Sequence, residues 1–278
     1  MHRPGRVATT PSARKAVASA FTDADVARCY AARPPYAPEL YEFLLEQVAG
    51  RDRAMDLGCG PGKIAMVLAG HFAEVVALDP SAAMIEAGQA ADAGRHGAIV
   101  WARETAEAYR SDLGFDLVTA GTSVHWLDHS VVFPKLADWT TTFAVITGDE
   151  PVSPPCGDHA WTRFLMRWIG RVGGRYDPAG AAAEANRHEA WMDIAGCKTF
   201  PFTVRQSVAD FILGQHSRAT WSRKVMGQAL AAEFDRELDD LMRPFATRGY
   251  LELSMVSELT WGTPRRTPHG KTAIDDMG

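Results

Sequence analysis

No apolar run in this chain approaches the ~20 residues that a helix needs to cross a bilayer, and no apolar stretch near the N-terminus resembles a secretory leader. Both absences point to a soluble protein retained in the cytoplasm. Cysteine is scarce. Cys29, Cys59, Cys156 and Cys197 lie far apart and form neither a C-x-x-C pair nor a cysteine–histidine metal pattern, which argues against a disulfide framework and a bound metal. A reducing compartment suits such a chain. Lysine and arginine number 29 against 34 acidic residues, and the basic side chains are scattered. A net charge of −5 without a basic stripe leaves no electrostatic footprint for nucleic acid. There is no internal repeat, and the only low-complexity bias is in short alanine-rich patches. Residues 1–20 contain no acidic side chain but hold Arg3, Arg6, Arg14 and Lys15. This reads as an arm suited to docking on a second copy of the chain rather than as a transit peptide.

The chain does have enough apolar material for a large core. With 278 residues, 46% of them hydrophobic, it can bury about three quarters of its unfolded surface as one main domain. The organising stretch is Met55-Asp56-Leu57-Gly58-Cys59-Gly60-Pro61-Gly62-Lys63. Arg53 to Leu57 is short and apolar, glycines follow at once, and Ile64, Val67 and Leu68 then recur at helical spacing. That is strand, tight turn, helix, with the free N–H groups of the helix aimed at the turn. A dinucleotide-binding turn needs glycine at its first, third and sixth positions. Here glycine falls at the first, third and fifth, and Lys63 takes the sixth. Pro61 also removes a backbone donor, which makes a poorer phosphate cradle. The next apolar run, Glu74 to Leu78, delivers Asp79 about twenty residues after Gly58, where a carboxylate can accept from both hydroxyls of a ribose. A ribose without a pyrophosphate fits better than a dinucleotide.

The ordered set Asp56-Leu57-Gly58-Cys59-Gly60-Pro61-Gly62, Leu78-Asp79-Pro80-Ser81 and Met84 resembles class I S-adenosylmethionine-dependent methyltransferases. Tyr30-Ala31-Ala32-Arg33-Pro34-Pro35-Tyr36, Thr105-Ala106-Glu107, Phe115-Asp116-Leu117-Val118 and Val124-His125-Trp126-Leu127-Asp128 extend the likeness to the small-molecule branch that includes trans-aconitate methyltransferase-like proteins. The resemblance implies a Rossmann-like doubly wound α/β sheet of seven strands, mostly parallel with the last antiparallel, carrying a helical cap and N-terminal helices. It implies S-adenosyl-L-methionine as cofactor and a small molecule as acceptor. The expected cofactor residues are Tyr30, Arg33, Asp56, Gly58, Gly60, Gly62, Asp79, Pro80, Met84, Thr105, Ala106, Glu107 and Gly121. Tyr30 and Arg33 are expected near the methionyl carboxylate, Met84 over one face of adenine, and Thr105 to Glu107 at its edge.

In chain order, an arm over residues 1–20 precedes a domain over 21–262, with cap helices from about 151–249 and a loose tail over 263–278. Thr22 to Asp25 caps a helix reaching about Ala32, where Arg33-Pro34-Pro35 ends it. Pro38 to Val48 is a second helix, with Tyr36 and Tyr41 as packing residues. Further strands are expected at Ile99 to Ala102, Phe115 to Ala120, Thr142 to Thr147, Lys198 to Arg205 and Tyr250 to Thr260. Helices are expected at about Ser81 to Ala93, Asp158 to Arg171, Ser207 to Gly214, Ser217 to Gly227 and Gln228 to Arg243. Gly173 to Ala185 reads as a glycine- and alanine-rich link.

In an open parallel sheet, ligands bind beyond the carboxyl ends of the strands where strand order reverses. His125, Asp128 and His129 follow the fourth strand at that lip and are the candidate catalytic residues, an imidazole being suited to taking an acceptor proton near neutrality. The other reading is that His125 and Trp126 shape and close the pocket. Trp161, Phe164 and Trp168 form an aromatic stripe at helical spacing. They are either cap core or, with Trp126, the wall of an acceptor pocket, in which case an aromatic or isoprenoid acceptor methylated on carbon becomes the alternative. A nicotinamide oxidoreductase and a catalytically silent cofactor-binding protein are the readings from other classes. O-, N- and C-methylation are not distinguished, because in-line transfer needs alignment more than any one catalytic group.

Overall fold

The structure, a computed structural model, describes residues 23–173 and 186–270. The expected N-terminal arm, most of the Gly173 to Ala185 link and the end of the tail lie outside the described residues. Seven strands form one sheet: β1 Arg53–Leu57, β2 Glu74–Leu78, β3 Ile99–Ala102, β4 Leu117–Gly121, β5 Phe143–Thr147, β6 Met192–Ser207 and β7 Tyr250–Pro264. Their spatial order is β3-β2-β1-β4-β5-β7-β6, with β1 to β5 parallel and β7 antiparallel to both of its neighbours. This is the doubly wound, Rossmann-like sheet that the sequence implies. The order reverses between β1 and β4, so the two strands flanking the switch point are those that carry the glycine turn and the His125 lip.

The central strands read as apolar runs because they are covered on both faces. Met55, Leu57, Val118 and Ala120 pack with Phe133, Leu136 and Phe143 on one side, whereas Ala54, Leu117 and Ala144 pack with Leu40, Leu44, Ile64 and Leu68 on the other. The flanking helices are α1 Ala24–Tyr30, α2 Pro38–Glu46, α3 Lys63–Leu68, α4 Ala82–Asp92 and α5 His129–Trp139. Side-chain caps fix several starts: Asp23 accepts from the Asp25 amide, Ser81 from that of Met84, and Asp128 from that of Ser130.

β6 and β7 differ from the other strands in length. Thr147 at the end of β5 pairs with Glu258, so residues 250–257 of β7 continue past the sheet's carboxyl edge with β6 alongside. At ~3.3 Å per residue this two-stranded ribbon projects about 25 Å. Its inner face, Leu251, Leu253 and Met255, is covered by α6 Asp158–Arg171, α7 Val208–Gln215, α8 Arg223–Met226 and α9 Gln228–Met242. The cap therefore shares its core with the ribbon and rises on the side where the site lies.

Three expectations need correction. The strand expected over Lys198 to Arg205 is β6, which begins six residues earlier, at Met192, because it pairs with β7 along its whole length. The single helix expected over Ser217 to Gly227 is a 3-10 turn, Ala219–Trp221, followed by α8. Ser222 separates them because its backbone is extended (φ −61°, ψ 141°) and its hydroxyl caps the Val225 amide. The tail is not loose from Gly262: β7 runs to Pro264, and the Arg265 and His269 amides donate to the carbonyls of Trp191 and Ala190 at 2.8 and 2.7 Å. Among the described residues no helix is long and apolar enough to cross a membrane.

Candidate functional site

The site begins at the first βα corner. Gly58, Gly60 and Gly62 all have left-handed backbone, with φ of +63°, +54° and +85°. Gly62 is doubly constrained, since a Cβ there would stand 2.4 Å from Cη2 of Trp101, whose ring lies beneath the turn. The turn is pinned to β2: the Cys59 amide donates to the Leu78 carbonyl at 3.0 Å, and the Gly60 amide to Asp79 Oδ2 at 2.9 Å. Asp79 Oδ1 accepts from the Ser81 amide at 2.8 Å. One carboxylate thus ties the glycine turn to the start of α4. Each of its oxygens accepts one backbone amide and keeps further lone-pair capacity. Burial raises the Asp79 pKa, while the Ser81 and Gly60 amides act to lower it.

Asp56, at the end of β1, is buried to 1% exposure. Its Oδ1 accepts from the Thr119 hydroxyl at 2.9 Å, but Oδ2 makes no hydrogen bond to any described residue. Burial pushes its pKa up to about 7 against the opposing pull of Thr119 and of the Ala65 amide. A buried carboxylate oxygen left without a donor is costly, so the group calls for a cation or a donor from a ligand.

Over this floor lies the segment joining α1 to α2. Arg33 is buried and its guanidinium is almost fully committed: Nη1 to Asp149 Oδ2 at 2.8 Å and to the Tyr30 hydroxyl at 3.5 Å, Nε to Ser217 Oγ at 2.7 Å, and Nη2 to the Ser217 carbonyl at 3.2 Å. Burial opposes its charge, yet Tyr30 and Asp149 hold its pKa above the ordinary range. Lys63 Nζ donates to the carbonyls of Arg33 and Pro34 at 2.8 and 2.7 Å, which fastens the same segment to the turn. Burial brings the Lys63 pKa down to about 8. The Tyr36 hydroxyl meets Thr122 Oγ1 at 3.1 Å, just past β4, where Thr122 adopts a left-handed φ of +53°. For a β-branched residue this is strained backbone, of the kind that gathers at functional sites.

These residues form a small, open-mouthed cleft lined by Tyr30, Tyr36, Asp56, Gly58, Cys59, Lys63, Ile64, Gly121 and Asp149. The structure thus brings together Tyr30, Arg33, Asp56, the glycine turn, Asp79 and Gly121. Tyr36, Lys63 and Asp149 are additions that sequence reasoning missed. Asp149 had a signal: it follows β5 much as Asp79 follows β2. Tyr36 belongs to the Tyr30 to Tyr36 stretch that carries the resemblance, but an aromatic residue before a helix reads as packing.

The remaining expected residues are placed as follows. Pro80 is exposed at the end of β2. Met84 is buried against Val26 and Ala27 of α1, with the Tyr30 ring beside it. Thr105 is exposed, Ala106 is buried, and Glu107 Oε1 accepts from the Asp128 amide at 2.8 Å. His125 and Trp126 meet at the lip in a tilted ring contact, with centroids 4.7 Å apart. Asp128 and His129 do not line the cleft. Asp128 is an exposed cap whose carboxylate takes the Ser130 amide and hydroxyl, and those bonds lower its pKa. His129 is buried, with Nε2 2.9 Å from the Val124 carbonyl and its ring edge-on to Phe133. Trp161, Phe164 and Trp168 lie in the cap core around Phe234, and Trp168 Nε1 donates to Glu237 at 2.9 Å.

Residues 54–141 match the methyltransferase domain family. Trans-aconitate 2-methyltransferase of Methylobacterium radiotolerans is 37% identical over 132 residues, 45% of this chain and 48% of that protein. The enzyme of that name from Streptomyces coelicolor is 28% identical over 155 residues, 52% of this chain and 50% of that protein. The chain thus spans about half the length of these curated relatives. A solved structure assigned as a type II methyltransferase, from Anaeromyxobacter dehalogenans, superposes with a TM-score of 0.60 at 21% identity, covering 85% of this chain and 99% of that one. At that identity the likeness is one of fold.

Proposed function

We propose, from the premise that this chain carries a methyltransferase domain of the class I fold, that it transfers a methyl group from S-adenosyl-L-methionine to a small-molecule acceptor. The observation that carries this reading is the pairing at the first βα corner: a left-handed glycine turn held by Asp79 on one side and, on the other, the unpartnered buried oxygen of Asp56. The donor set fits an adenosyl amino acid. Asp79 retains lone pairs for ribose hydroxyls, Asp56 Oδ2 needs a donor such as an ammonium, and Gly60 and Gly121 keep side chains off the floor. Arg33 offers little to a ligand carboxylate while Asp149, Ser217 and Tyr30 occupy it; its role in this state is to join the N-terminal segment, the sheet and the cap.

Bound there, the cofactor supplies an electrophilic methyl carbon. The protein's part is to align an acceptor with it and to keep water out, and alignment alone accounts for a large share of such rates. His125 stands at the lip of β4 as the candidate for taking an acceptor proton; a carboxylate acceptor would require none. The aromatic stripe of α6 is spent within the cap, so it does not supply the wall that an aromatic or isoprenoid acceptor would need. The cofactor pattern shared with a nicotinamide enzyme stops at the fifth-position glycine and Pro61.

The test is incubation with methyl-labelled S-adenosylmethionine, first with trans-aconitate, the acceptor in the names of two relatives, and then with fractionated metabolites of the producing cell. Label in an acid-stable small molecule, reduced by His125→Ala only if a proton must be removed, is the expected result. Calorimetry with S-adenosylhomocysteine separates a silent cofactor binder, which binds without transfer, from a protein with no such site.

A further inference from the structure

Lys63 stands where a dinucleotide-binding turn has its last glycine, and its side chain lines the cleft. Its ammonium carries three donors, of which the Arg33 and Pro34 carbonyls take two, so one N–H remains unspent on the protein. The charged and titratable groups around it come from every neighbouring element. Arg33 and Tyr30 belong to the α1 segment, with the Tyr30 ring centroid 5.6 Å from Nζ. Arg218 comes from the cap, Asp149 from the end of β5, and Asp56 and Tyr36 share the cleft. Asp149 is already bridged to Arg33 at 2.8 Å, so the positive charge of Lys63 is incompletely offset.

We propose that Lys63 makes this cleft discriminate by charge between two forms of one nucleoside ligand, opposing the sulfonium of S-adenosylmethionine and sparing the neutral thioether of S-adenosylhomocysteine. This rests on the function proposed above. Like charges about 10 Å apart, at an effective dielectric constant of about 20, shift a binding ratio by on the order of 10-fold. Burial, helped by Arg33 and Arg218 and opposed by Asp149, brings the Lys63 pKa down to about 8, so the discrimination is present below that pH and fades above it. The neutral amine still has two N–H donors for the Arg33 and Pro34 carbonyls, so the overlying segment stays fastened while the repulsion disappears. Below pH ~8 the cleft then holds the spent cofactor more tightly than the fresh one.

Calorimetric titration of the full chain with each compound between pH ~6.5 and pH ~9 tests this, and the Lys63 variants separate its contribution from that of the ligand's own α-amino group, whose pKa the sulfonium lowers. S-adenosylhomocysteine is expected to bind about 10-fold more tightly at the acidic end, with the ratio falling to within about 2-fold at the alkaline end. Lys63→Arg should hold the acidic ratio throughout, and Lys63→Gln should hold the alkaline one; binding of S-adenosylhomocysteine by each variant also reports that it is folded. Asp56 titrates in the same range, so Asp56→Asn is the control. A ratio indifferent to pH, a wild-type profile retained in both Lys63 variants, or a profile abolished by Asp56→Asn alone would overturn the proposal. Failure of the wild-type chain to bind either compound would instead remove the methyltransferase reading itself.

Discussion

Asp56 gives the account a quantity that stability measurements can reach without any ligand. Its pKa rises from 3.8 to about 7 because burial disfavours the charged form, with Oδ2 unpartnered and Thr119 supplying a single hydrogen bond. The folded chain therefore holds this proton more tightly than the unfolded chain does. The stability it contributes is complete below pH ~4 and is lost as pH rises towards 7. A rise from 3.8 to about 7, at 1.36 kcal/mol per pH unit, amounts to about 4 kcal/mol across that window. Asp56→Asn keeps the shape and the acceptor for Thr119 but cannot titrate. The fixed cost of placing an amide there is independent of pH, so the difference in unfolding free energy between variant and wild type should move in the variant's favour by about 2–4 kcal/mol between pH ~4 and pH ~8. Urea unfolding of both proteins at half-unit pH steps measures this difference. A difference that stays flat would mean that Asp56 is already ionised and satisfied in the folded chain, and the argument that it awaits a donor would fail with it.

Other perturbations separate the site from the scaffold. Asp79→Asn turns one of two accepting oxygens into a donor facing a backbone amide, so it should cost about 1–3 kcal/mol of stability in urea unfolding and weaken S-adenosylhomocysteine binding at least 10-fold by calorimetry. Gly62→Ala combines a φ of +85° with a Cβ 2.4 Å from Trp101 and should cost about 1–3 kcal/mol of stability while quenching or shifting the tryptophan fluorescence. Trp168→Ala opens the cap core beneath Phe234 and should cost about 3–5 kcal/mol, yet leave the affinity of the folded protein for S-adenosylhomocysteine within about 2-fold. A large loss of affinity there would return the α6 stripe to the ligand pocket.

The parallel half of the fold was legible because its signals are local. Arg53–Leu57 with its glycines, Glu74–Leu78 with Asp79, and Phe143–Thr147 each join a short apolar run to a turn, and their bounds fall within one or two residues of expectation. The helix at Asp158–Arg171 matches because its apolar spacing is unbroken over fourteen residues. Ser217 to Gly227 misled because helix formers surround Ser222, and only the tertiary setting reveals that its hydroxyl caps a new helix. The same limit governs the site. Asp79 and the glycines were readable from spacing, whereas Arg33 meets Asp149 and Ser217 across separations of 116 and 184 residues, which no local pattern encodes. His125, Asp128 and His129 are neighbours in sequence but not in role: the helix that begins after Asp128 turns its carboxylate into a cap and buries the His129 ring.

The most direct measurement is a crystal structure of the chain grown with S-adenosylhomocysteine. The nucleoside is expected on the Gly58 to Gly62 turn, its ribose hydroxyls within hydrogen-bonding distance of Asp79 and its amino group at Asp56 Oδ2. Density for the compound elsewhere, or a turn that stays empty at saturating concentration, would contradict this placement.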